Sequence, residues 1–61
     1  MKLKDLMSVC DCIQEVFVVN KKQLQSIRTE ASVILEYSIW ADIEVDEIAV
    51  EGSELKVWLV R

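Results

Sequence analysis

Histidine and proline are absent from this 61-residue chain, and glycine occurs once. Without histidine, no Ser–His or Cys–His nucleophile pair can form, and a closed zinc site would need a partner's cysteines or nearby carboxylates beside the chain's own two cysteines. A single glycine provides no Gly-rich loop to cradle a phosphate. The two cysteines, Cys10 and Cys12, flank one residue, so a disulfide between them would be strained and would staple almost nothing. No stretch approaches the roughly 18 uninterrupted apolar residues of a membrane span. Asp5 and Asp11 break up any apolar core of a secretory signal. These absences predict a chain that is not an enzyme, carries no cofactor or metal, engages no membrane, and sits in the cytoplasm with its thiols reduced.

What is present is apolar residue, 52% of the chain against 30% charged, enough to fold. Low-complexity runs, linkers and repeats are missing, so residues 1–61 form a single small domain. A chain this short buries only about 60% of the surface its unfolded form exposes, and without a disulfide or metal its natural support is a partner subunit.

Leu3, Leu6, Met7 and Cys10 recur at helical spacing and predict a short helix from about Lys2 to Cys10. The β-branched and aromatic run from Ile13 to Val19 predicts a strand, with Asn20-Lys21-Lys22-Gln23 as its turn. Gln23 to Glu30 returns as a second strand only if its broken alternation, with Leu24 and Ile27 on opposite parity, is absorbed by a bulge. Thr29 or Ser32 can cap a helix through Val33 to Tyr37, whose apolar residues spread around the wheel.

Val45 to Glu51 and Glu54 to Val60 flank Gly52-Ser53, the signature of a hairpin closed by a type II′ turn. That turn pairs Glu51 with Glu54, Val50 with Leu55, Ala49 with Lys56, Ile48 with Val57 and Glu47 with Trp58. The expected fold is α+β: a three- to four-stranded antiparallel sheet with one or two short helices on one face. Ile48, Val50, Leu55, Val57, Val16 and Val18 then lie under the helices. Phe17, Val19, Trp58 and Val60 share the other face, with Tyr37 and Trp40 as further aromatic contributors. Either this patch is an interface, anchored by its aromatic side chains, or a helix or a slipped register turns it into core.

The order of these pieces resembles short proteins of Gram-positive phages and integrated mobile elements, through a "MKLKDLM"-like opening helix, a strand such as "QEVFVVN" and a closing hairpin such as "EVDEIAVEGSELKVWLV". Members tend to have a glycine-bearing turn after the first strand, where this chain has Asn20-Lys21-Lys22-Gln23. The group has no agreed activity to transfer. The resemblance implies the fold and a bacterial host cell, a setting in which small acidic proteins bind and modulate a host or phage protein, inhibitors of host defence included.

Seven bases against eleven acids give a net charge of −4, which speaks against direct nucleic-acid binding, even with Lys2, Lys4, Lys21, Lys22 and Arg28 as a basic strip. Asp42, Glu44, Asp46, Glu47, Glu51 and Glu54 form an acidic run with no base among them. It reads as a solvated sheet edge, with imitation of a nucleic-acid backbone as the functional alternative. A paired-carboxylate hydrolase is the poorest use of the same residues, since so short a chain has little volume for a pocket. Cys10-Asp11-Cys12 reads as one small buried hydrophobe and one loop thiol, with a soft metal as the alternative. The sequence thus predicts a protein-binding module, or a homodimeric assembly protein that consumes the same patch in a homo-oligomer.

Overall fold

The computed structural model describes residues 1–37 and 39–60, the side chain of Tyr37 excepted. The elements follow in the order α1 (Leu3–Ser8), β1 (Glu15–Asn20), β2 (Gln25–Glu30), α2 (Ala31–Tyr37), β3 (Val45–Glu51) and β4 (Glu54–Leu59). The strands form one sheet in the order β2-β1-β4-β3, so the α+β class, the four strands and the C-terminal hairpin are as the sequence predicts.

One pairing differs. β1 runs antiparallel to β2, and β3 antiparallel to β4, but the central pair β1 and β4 is parallel, which makes the sheet mixed rather than wholly antiparallel. The charge on the strands accounts for this. β3 carries Asp46, Glu47 and Glu51 with no base, whereas β4 carries Leu55, Val57 and Leu59 in strict alternation. Placing the acidic strand at the solvated edge and the apolar strand in the middle leaves β4 pointing the same way as β1.

The hairpin register matches the expected pairs from Glu51↔Glu54 to Glu47↔Trp58, with an irregularity between Val45 and Glu47. Gly52 has φ of 61°, and Ser53 is not among the residues of positive φ, as a type II′ turn requires. Among the described residues, Leu24 is the one non-glycine residue with positive φ, at 55°, and it is 91% exposed. It therefore belongs to the β1–β2 turn and not to the strand, which removes the parity conflict without a bulge. Asn20 holds that turn by accepting the Gln23 N–H on its side-chain oxygen at 3.1 Å. Because a Cβ at Gly52 would meet nothing within 4 Å, substitution there acts on the backbone alone. Gly52→Ala is expected to lower stability by about 1 kcal/mol and Leu24→Gly to raise it by up to about 1 kcal/mol, in opposite shifts of the urea midpoint.

Helices of six and seven residues are too short to stand alone, and both are held by backbone bonds from elsewhere in the chain. The Leu3 and Lys4 N–H groups donate to the Ile43 and Ala41 carbonyls at 2.9 and 2.8 Å. The Ala31 and Ser32 N–H groups donate to the Gln14 and Cys12 carbonyls at 3.0 and 3.1 Å, in place of a hydroxyl cap. Both helices pack on one face of the sheet. Leu3, Leu6, Met7, Ala31, Ile34 and Trp40 meet Val16, Val18, Val57 and Leu59 there in one core. Trp40 is thus core, not part of the opposite patch, while the side chain of Tyr37 lies outside the described residues. Ile48 and Val50 share the core-side face through their register with Val57 and Leu55, but at the edge strand they are 43% and 73% exposed.

Candidate protein-binding face

The face opposite the helices is built from alternate residues of all four strands, and the registers order it into three bands. Ser26, Val19, Trp58 and Glu47 are successive partners across the sheet and make a band with Val19 and Trp58 at its centre. Arg28, Phe17, Lys56 and Ala49 make the next. Glu30 with Glu15, and Glu54 with Glu51, make the third. Phe17, Val19 and Trp58 are therefore brought together as expected, each half-buried among its neighbours. Val60 follows the end of β4, on the same parity as Trp58, and is 43% exposed.

The bands interlock electrostatically. The Arg28 guanidinium lies 4.7 Å from the centre of the Phe17 ring, and the Lys56 ammonium 5.9 Å from it. Arg28 also donates to Glu54 at 2.7 Å, and Lys56 pairs with Glu51 at 3.2 Å. Each base thus bridges from the Phe17 ring to the acidic band through its charged head group.

The acidic run is distributed by the fold. Glu47, Glu51 and Glu54 lie on this outer face, Asp42 and Glu44 beside the N-terminus, and Asp46 against the β1–β2 turn. Lys4 holds Asp42 at 3.0 Å, the N-terminal amine holds Glu44 at 2.8 Å, and Lys21 holds Asp46. The hydrogen bond and charge of Lys4 keep the Asp42 carboxyl below its ordinary range, and Asp42 in turn raises Lys4. Five of the six carboxylates thus pair with a cation, Glu47 being the exception among the described residues. A surface imitating nucleic acid needs unpaired charge at high density, and this pairing works against it.

Cys10 and Cys12 have different environments. Cys10 is partly buried and donates its thiol to the Leu6 carbonyl at 3.4 Å, while Cys12 is exposed. Burial first, and the Asp11 charge second, push the Cys10 thiol above its ordinary range. Cys12 should consequently be alkylated several-fold faster than Cys10 near neutral pH, as measured by mass spectrometry on Cys10→Ser and Cys12→Ser; equal rates would contradict the assigned burial. Among the described residues, no three His, Cys, Asp or Glu side chains converge as a metal-binding group.

A second apolar region was not anticipated from sequence. A groove of about 280 Å³ runs between β2 and α2, lined by Ile27, Thr29, Val33, Ile34, Ile39 and Trp40. Ile27, Val33 and Ile39 are 40%, 37% and 88% exposed. Its sequence signal is the apolar spread around α2, which a helix covered on one side only must leave partly in water. A cleft of about 350 Å³ beside the hairpin turn is lined by Cys10, Gln14, Val50 and Leu55 with the turn itself. Both lie at or below the small end of ligand sites, about 300–1,000 Å³.

No helix among the described residues is long and apolar enough to cross a membrane. No family model, no curated protein and no solved structure matches the chain.

Proposed function

We propose that this chain is a non-enzymatic protein-interaction module whose contact surface is the outer sheet face around Phe17, Val19 and Trp58, with Val60 at its margin. The observation that carries this reading is the one-sided packing of both helices, which leaves Phe17, Val19 and Trp58 side by side with no second helical layer over them among the described residues. Aromatic residues in such a position bury large areas at little entropic cost, and charged rims steer association. The flanking Arg28, Lys56 and glutamates fit a partner with an apolar ridge bordered by charge of both signs.

The absence of histidine and the small clefts support a binding role over a catalytic one. The resemblance of the opening helix, first strand and closing hairpin supports a phage or mobile-element setting in the cytoplasm of a bacterial host. There the partner is a host or phage protein, a defence component among the candidates. Affinity capture from the native host, run in parallel with wild type, Trp58→Glu and the edge control Val50→Glu, tests the reading. A defined protein retained by wild type and Val50→Glu but lost by Trp58→Glu supports it; equal retention by all three overturns it.

A further inference from the structure

We infer that the free edge of β2 pairs antiparallel with β2 of a second copy, joining two four-stranded sheets into one of eight strands. The two edges of the sheet differ in charge. β3 presents Asp46, Glu47 and Glu51 with no base, so pairing it with its own copy sets like charges across the junction, whereas β2 carries Arg28 balanced by Glu30.

The Ala31 N–H bond to the Gln14 carbonyl sets the phase of the β1–β2 ladder. By the alternation of antiparallel bonding, Gln25, Ile27 and Thr29 turn their backbone groups toward β1, and Ser26, Arg28 and Glu30 turn theirs outward. A two-fold axis at Ile27 then places Ser26 opposite Arg28 of the other copy, Gln25 opposite Thr29, and Ile27 against its own equivalent, with no like charges directly opposed. An axis at Arg28 would oppose two guanidiniums, and one at Thr29 would run into the start of α2 at Ala31. The chosen register brings the Lys21-Lys22 turn of each copy to the Glu30 end of the other. It also closes the two β2–α2 grooves against one another, covering Ile27, Val33 and Ile39. A strand is the occupant that satisfies both the outward backbone groups and the apolar groove beside them.

The two outer faces would emerge on the same side of the joined sheet, so this contact is independent of the Trp58 surface and leaves it free. Sedimentation equilibrium up to millimolar concentration tests it. The expected result is a species of twice the 7.0 kDa chain mass that Ser26→Pro and Ile39→Glu both convert to monomer with unchanged circular dichroism. Proline at Ser26 removes only an outward N–H, and Ile39 is 88% exposed, so neither change touches the core. Lys22→Glu should weaken the dimer about tenfold, and adding Glu30→Lys should restore it. A monomer at every concentration, or a dimer indifferent to both Ser26→Pro and Ile39→Glu, would overturn the inference. A dimer abolished by Trp58→Glu alone would overturn it and place self-association on the outer face.

Discussion

Leu59→Ala is expected to remove about 3 kcal/mol, a third or more of the protein's stability. Leu59 is fully buried, with Asn20 and Val45 as its register partners on either side and the helices above. Truncating a buried leucine costs about 2–5 kcal/mol, the lost transfer energy plus the cavity left behind. A domain of this length has roughly 3–9 kcal/mol in total, at about 0.05–0.15 kcal/mol per residue. A loss near 3 kcal/mol corresponds to a fall in Tm of roughly 12–24 °C for a domain of this size. The adjacent Val60→Ala is the control. Val60 is 43% exposed and holds the Glu44 carbonyl through its backbone N–H, which the substitution preserves, so its change should stay within about 0.5 kcal/mol. Equal effects at the two positions would contradict the parity of β4.

Trp58→Glu should do the reverse, sparing the fold and removing binding. Its register partners are Val19 and Glu47, so the substitution loses a cross-strand contact and sets a carboxylate against Glu47. Each such pair is worth about 0.2–1 kcal/mol, and the expected stability loss is about 1 kcal/mol. On the proposed contact surface the same residue would be a central anchor. Removing one costs 2 kcal/mol or more, roughly 30-fold or more in Kd. Thermal unfolding and titration of the captured partner, measured on one preparation, separate the two effects.

The C-terminal hairpin was legible in the sequence from Glu47 to Trp58 because a Gly-Ser turn fixes register locally, and register fixes which side chains share a face; the irregularity between Val45 and Glu47, far from the turn, was not. That local logic also put Phe17, Val19 and Trp58 together. What could not be read depends on contacts distant in sequence. Whether β3 or β4 lies beside β1 is decided by the solvation of β3's acids, and the local pattern is compatible with either order. The acids looked unpaired because their partners come from elsewhere, as with Arg28 and Glu54, or Lys21 and Asp46. Leu24 obscured β2 because an apolar residue in a left-handed turn is sterically disfavoured, so nothing in its type announced the turn. The β2–α2 groove exists because one short helix cannot cover both α2's own apolar spread and the edge of the sheet.

The central claim is that the outer sheet face is where this protein meets its partner. NMR titration of isotopically labelled protein with the captured partner tests it most directly. The account predicts that the Phe17, Val19 and Trp58 signals shift or broaden together, with Arg28 and Lys56 following, while Val50 and Ile13 stay unchanged. Perturbations centred on Val50 and Ile13, with the Trp58 indole signal unmoved at saturation, would contradict it.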